Sequence, residues 1–196
     1  MTYQFKIQLK NISDPTIWRR LTVPSHYTFF EFHIIIQIAF GWFNEHLFKF
    51  SPNGYRSYPQ IQLHFDDEMS EMEFAHGDVY DAEKIKLSDI FVNEKQKFTY
   101  LYDFGDDWNH IITLEKILPE TSMYPTLIKG QGMCPPEDCG GPWGYMGLKE
   151  ILTDPKHPEY TEYRELFLDE TDVFNPYEFQ IEEHREFLNE VFTNKS

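Results

Sequence analysis

Cysteine is scarce in this chain. Only two occur in 196 residues, Cys134 and Cys139. In a reducing compartment two cysteines read as thiols or metal ligands sooner than as a disulfide, and a zinc ribbon, which needs two cysteine pairs, is excluded. Long apolar runs are also missing. The longest, "IIIQIAFGWF", is far too short to span a bilayer. The opening "MTYQFKIQLK" has no basic n-region followed by an apolar core, so it reads as a strand and not as a signal peptide. Together these features predict a cytoplasmic protein with no membrane partner. Several catalytic signatures are absent as well: no Gly-x-x-x-x-Gly-Lys-Ser/Thr loop, no Gly-x-Gly-x-x-Gly, no Gly-x-Ser-x-Gly and no His-Glu-x-x-His.

Positive charge is the other shortage. Lys and Arg number 17 against 33 Asp and Glu, a net of −16. Such a surface repels phosphates. Residues 1–65 alone carry six bases and three acids, so any contact with a polyanion would fall there. Trp18, Arg19 and Arg20 could form a stacking and phosphate patch, or the tryptophan could be core and the arginines paired with acids. The overall balance favours a protein partner or small ligand over nucleic acid.

What the chain has in quantity is aromatic: 18 Phe, 12 Tyr and 4 Trp. Tyr3, Phe5, Ile7 and Leu9 alternate with polar residues, the period of a strand with one wet face. "IWRRLTVP" reads as a second strand ending at Pro24. Thr28 and Glu31 form a capping box for a helix that stops at Gly41. "HLFKF" (46–50) and "IQLHF" (61–65) are further strands, and the acidic stretch 66–81 reads as a long excursion. "FTYLYDF" and "WNHIITLEK" alternate around a short Gly/Asp turn, the pattern of a β-hairpin. Residues 119–144 read as loop, "GYMGLKEIL" as a short helix, and "TDPKHPEY" as punctuation. A last helix is expected from Asn175, with Pro176 at its first position. Strands and helices are segregated. This predicts an α+β fold with a largely antiparallel sheet, as one domain over 1–196.

Four stretches come in order: "PTIWRR" (15–20), "FHIIIQIAFGWFNEHL" (32–47), "YDFGDDWNH" (102–110) and "CPPEDCGG" (134–141). In these the chain resembles the plasmid pRiA4b ORF-3-like family over about residues 3–190. The resemblance implies an α+β domain of largely uncharacterised function, some relatives being labelled resolvases. His33, His46 and His110 match the family pattern. Where relatives often have His-Leu-His, this chain has His46-Leu47-Phe48.

The cysteine loop allows three readings. As a metal site, Cys134 and Cys139 supply two zinc ligands, and His110, His46 or Asp103 would have to complete the set. As a redox pair, it has the wrong spacing. As a rigid turn, Pro135 and Pro136 fix φ, Glu137 and Asp138 accept backbone N–H groups, and Gly140 and Gly141 permit positive φ. In the hairpin, Asp106 and Asp107 suit a turn. Asp103 and His110 could act as base and orienter, or as ligands, but strict alternation puts them on opposite faces. His110 also reads as a core histidine bonded to a backbone carbonyl.

The expected site therefore joins the two motifs. Its binding candidates are Asp103, Asp106, His110, Glu137, Asp138 and His46, and its metal candidates are Cys134, Cys139 and His110; the sequence assigns no cofactor, and zinc is the candidate if a metal is held. The functions to weigh are a binding or accessory domain, a metal-dependent enzyme acting on phosphoesters, and a weak nucleic-acid binder.

Overall fold

The computed structural model describes residues 1–65, 72, 74, 78–169 and 173–193. Most of the acidic excursion lies outside the described residues. The described strands are β1 (Thr2–Leu9), β2 (Trp18–Pro24), β3 (Phe48–Ser51), β4 (Gln60–Gln62), β5 (Val79–Asp81), β6 (Lys97–Tyr102), β7 (Trp108–Leu118) and β8 (Thr126–Gln131). They form one sheet in the order β5-β4-β3-β6-β7-β1-β2-β8. All pairs are antiparallel except β4 with β5. The described helices are α1 (Phe29–Phe40), α2 (Leu87–Ile90), α3 (Gly141–Thr153), α4 (Tyr160–Phe167) and α5 (Ile181–Thr193). The α+β class follows directly, and among the described residues no helix is long and apolar enough to cross a membrane.

Alternation explains the sheet. Tyr3, Phe5, Ile7 and Leu9 of β1 are buried, and Gln4, Lys6 and Gln8 are not. Helix α1 begins where its capping box predicts: Glu31 N–H donates to Thr28 Oγ1 at 3.2 Å, and Thr28 N–H donates to Glu31 Oε2 at 2.7 Å. It ends at Gly41, which has φ +89°. Phe32 packs 4.8 Å from Phe5 and Phe29 packs 5.0 Å from Phe50, so the helix lies on one face of the sheet. Helix α5 packs against α1 and β8, which accounts for burial on nearly all sides of α1.

Arg19 is wholly buried at the junction of these layers. Its Nε donates to Ala39 O at 2.7 Å, Nη1 to Trp18 O at 3.0 Å and Gln131 O at 2.9 Å, and Nη2 to Gly132 O at 3.0 Å. The guanidinium lies 3.5 Å from the Phe179 ring centre. Burial lowers its pKa to about 10, so it stays charged at neutral pH. Arg20 instead makes a two-pronged bond to Glu115, at 2.6 and 2.8 Å. Neither arginine is left as a free phosphate contact, and Trp18 is half-buried with Lys6 and Arg20 over its ring.

Four sequence expectations need correction. Residues 119–144 contain β8, an edge strand whose only buried residue is Leu127, so it shows no alternation. The excursion ends in β5, three residues paired in parallel with β4. Helix α4 follows the expected punctuation and buries no residue, so it leaves no apolar stripe. The last helix starts at Ile181 and not near Asn175. Asn175 instead caps a turn, accepting from Tyr177 N–H at 3.2 Å, and Pro176 O accepts from Met133 N–H at 3.0 Å.

Replacing Arg19 with Met leaves four backbone carbonyls without their donor, two of them buried. The expected loss is about 3–5 kcal/mol of unfolding free energy, read by urea denaturation. Glu115→Gln should cost at most about 1 kcal/mol, because that pair is partly exposed. The Arg20 bond lowers the Glu115 pKa, so that small difference should vanish as pH falls through the carboxylate range.

Candidate functional site

Three segments meet beyond the ends of β3 and β6: the turn after α1 (residues 41–47), the β6–β7 turn (103–107) and the cysteine loop (133–141). Each has a local reason for its path. In the first, His33, buried in α1, donates from Nε2 to Asn44 Oδ1 at 2.5 Å and accepts at Nδ1 from Tyr100 O–H at 2.8 Å. Asn44 N–H donates to Gln37 Oε1 at 3.0 Å. Helix side chains therefore pin the turn that presents His46.

In the second, Asp103 takes φ +52° and leaves the alternation of β6. Its N–H donates to Leu47 O at 2.9 Å, and its Oδ1 accepts from Gly105 N–H at 2.9 Å and Asp106 N–H at 3.3 Å. An Asp can hold this conformation because its carboxylate satisfies the turn's own amides.

The third segment is fastened by its own carboxylate and by its neighbours. Glu137 accepts from Phe43 N–H at 3.0 Å and from the Tyr102 hydroxyl, which in turn accepts from Glu45 N–H at 3.1 Å. Trp42 Nε1–H donates to Pro135 O at 2.9 Å, and Gly140 N–H donates to Asp106 Oδ2 at 3.1 Å. A Cβ on Gly141, at φ +68°, would sit 2.3 Å from Asp106 O, so only glycine allows this approach.

The result is a cluster at the seam. His46 Nε2 lies 3.3 Å from Asp138 Oδ1 and 3.8 Å from Asp103 Oδ2. Asp103 is buried, whereas the Asp138 side chain is 72% exposed. Among the described residues this is the one group of three His, Cys, Asp or Glu ligand atoms all lying within 4.8 Å of one another. Of the six binding candidates, the structure brings His46, Asp103 and Asp138 together. Glu137 and Asp106 are used to fasten the loop.

His110 stands apart. It is fully buried, pairs with Tyr100 across the hairpin, and packs its ring 4.9 Å from Phe40 and 5.3 Å from Trp42. Its Nδ1–H points at Trp108 O (3.2 Å) and Tyr100 O (3.3 Å), while Nε2 is buried without a partner among the described residues. Burial lowers its pKa to about 3.

The two cysteines do not join His110 in a ligand group. Both are free and half-buried. Burial raises both thiols, Cys139 to about 12, so neither is a ready thiolate. Cys134 instead lines a cleft of about 220 Å³ with Arg19, Met133, Phe179 and His184, away from the His46 cluster.

Tyr102, Trp42 and Asn44 are missed by motif reading. The signal for Tyr102 was its place as the last inward-facing residue before the turn, where a hydroxyl reaches past the sheet. The pattern gives no comparable hint for the other two.

The plasmid pRiA4b ORF-3-like protein model matches residues 1–183. The chain belongs to this family. It is 35% identical over 161 residues to "Uncharacterized protein y4hQ" of Sinorhizobium fredii, covering 81% of this chain and 77% of that protein. It also resembles the crystal structure of "Protein of Unknown Function MM3350" from Methanosarcina mazei Go1. The TM-score is 0.75 and the identity 34%, with 92% of this chain and 96% of that one covered. Both relatives are described as being of unknown function, so the plasmid pRiA4b ORF-3-like fold is shared and the chemistry has to be argued from the site.

Two measurements check this geometry. Thiol labelling with Ellman's reagent at neutral pH should be at least about tenfold slower in the native protein than after unfolding. His110, near 3, and His33, lowered to about 4, are buried neutral. Their stabilisation is therefore complete above the unfolded value near 6.5 and lost as pH falls below it. Stability should drop by about 1.4 kcal/mol per pH unit for each of them below about pH 6. His110→Gln should flatten that slope by about one proton, and an unchanged slope would contradict the assignment.

Proposed function

We propose that the chain is a binding domain whose ligand-facing surface is the junction of the cysteine loop, the β6–β7 turn and residues 41–47. The ligand presents a cationic group, such as a basic side chain of a protein partner. The single observation that carries this reading is the convergence of Asp103 and Asp138 on His46 from three segments, while Glu137 and Asp106 hold those segments still. A preorganised negative spot loses little on ordering when a cation arrives. Two large apolar residues at the junction are left in solvent: Phe43, in the first segment, at 79% and Trp143, in α3 just past the loop, at 83% exposed. Exposed aromatics flanking an acidic centre suit the contact rim of a basic peptide.

The nucleic-acid reading has less support, because Arg19 is buried and Arg20 is paired with Glu115. A basic footprint needs clustered free cations.

The reading is tested by amide-resolved NMR titration with Arg- and Lys-containing peptides, using acidic peptides as controls. Saturable shifts should be confined to 43–47, 103–107 and 137–144 and weaken with added salt. Asp138→Asn should weaken binding at least about fivefold with an unchanged melting temperature, since that side chain fastens nothing. Equal affinity in the variant, or no saturable response to any basic peptide, would count against the reading.

A further inference from the structure

We propose that His46, Asp103 and Asp138 form a site for a divalent transition metal of the zinc(II) class, with three protein ligands and the remaining positions open to solvent. This rests on the reading of the junction as a cation-binding surface, and it names a divalent ion, competing with a basic side chain, as the occupant of the junction's centre.

Geometry comes first. With metal–ligand bonds of about 2.1 Å, neighbouring ligand atoms of a tetrahedral ion sit about 3.4 Å apart. His46 Nε2 is 3.3 Å from Asp138 Oδ1 and 3.8 Å from Asp103 Oδ2, which brackets that spacing. The second observation is independent of the spacing. His46 Nε2 is itself shut off from solvent, yet makes no hydrogen bond among the described residues. Two carboxylates lie within reach, but neither takes up a hydrogen-bonding position on the ring nitrogen. Oxygens displaced from the N–H direction are what a shared ion requires, because the ion occupies that direction and the oxygens surround it.

The supporting shell is in place. The Asp103 Oδ1 is held by the amides of Gly105 and Asp106, which leaves Oδ2 turned toward His46. Ligands oriented by such bonds are the rule in metal sites. Asp138 sits at φ +57° in the loop that Glu137 and Gly140 fasten. Two carboxylates and a neutral imidazole carry a charge of −2, which one divalent ion neutralises. The imidazole selects among ions: calcium takes six to eight oxygens and magnesium prefers oxygen and water, whereas zinc, cobalt and manganese accept mixed nitrogen and oxygen. The cysteines are not part of the set.

The test uses the full, untagged chain after chelator treatment. Zn²⁺ titration calorimetry should give one site, and Co²⁺ should give visible bands with no thiolate charge-transfer band. Asp138→Asn and His46→Gln should each weaken binding at least about tenfold. Cys134→Ser and Cys139→Ser should change nothing, and Ca²⁺ should not compete. Because Asp138 is exposed and fastens nothing, its variant stays folded, which circular dichroism checks. No saturable Zn²⁺ binding overturns the proposal, as does binding that survives both substitutions or depends on the cysteines. The peptide titration repeated in chelator separates the two readings. Peptide binding without metal binding overturns the ion and leaves the surface, and loss of both overturns both.

Discussion

Four backbone carbonyls, from α1, β2, β8 and the residue just past β8, converge on the buried guanidinium of Arg19. A buried charge is tolerable only when it is well hydrogen-bonded, and four of the guanidinium's five N–H groups are spent on these carbonyls. That demand fixes the edge of the sheet against the end of the helix. It also sets where the chain goes next. Gly132 is bound by Arg19, Met133 by Pro176, and from there the cysteine loop has one course over the end of α1. Phe179 closes the guanidinium from the other side. The candidate site is thus built on a core constraint outside it, with the loop resting on scaffold and not on its own stiffness.

Much of the scaffold could be read from residue order because its signals are local. The alternation in β1, the Thr28–Glu31 box and the hairpin around Gly105 each depend on neighbours within a few residues. The elements that escaped reading lack that kind of signal. Strand β8 buries one side chain, and α4 buries none. Asn175-Pro176 carries a proper helix-start pattern, but the carbonyl of Pro176 is taken by Met133, forty-three positions earlier in the chain. A tertiary hydrogen bond decided the outcome, and no window of sequence contains both partners.

The site was half legible for a similar reason. The two motifs that meet were visible, and so was the ambiguity of their carboxylates. Which acids fasten and which face outward was not. Glu137 and Asp138 are adjacent and chemically alike. Glu137 has the longer arm and reaches the Tyr102 hydroxyl and the Phe43 amide, while Asp138 turns out at positive φ toward His46. The alternation that sets Asp103 against His110 does not reach Asp103, because β6 ends at Tyr102 and Asp103 takes positive φ in the turn. His110 remains among Phe40, Trp42 and Tyr100, where a neutral ring packs as an aromatic.

The departure at Phe48 bears on the chemistry of the cluster. Phe48 is buried, with its ring stacked 3.7 Å from that of His33. A histidine there would face the core layer of His33 and Tyr100, not the seam where Asp103 and Asp138 meet. Its replacement by phenylalanine therefore removes a polar group from the interior and leaves the His46 cluster whole. It also deepens the apolar backing behind His33, whose bond to Asn44 holds the turn that carries His46. The proposed set of one imidazole and two carboxylates thus needs no second histidine, and its single nitrogen is what separates it from an all-oxygen site.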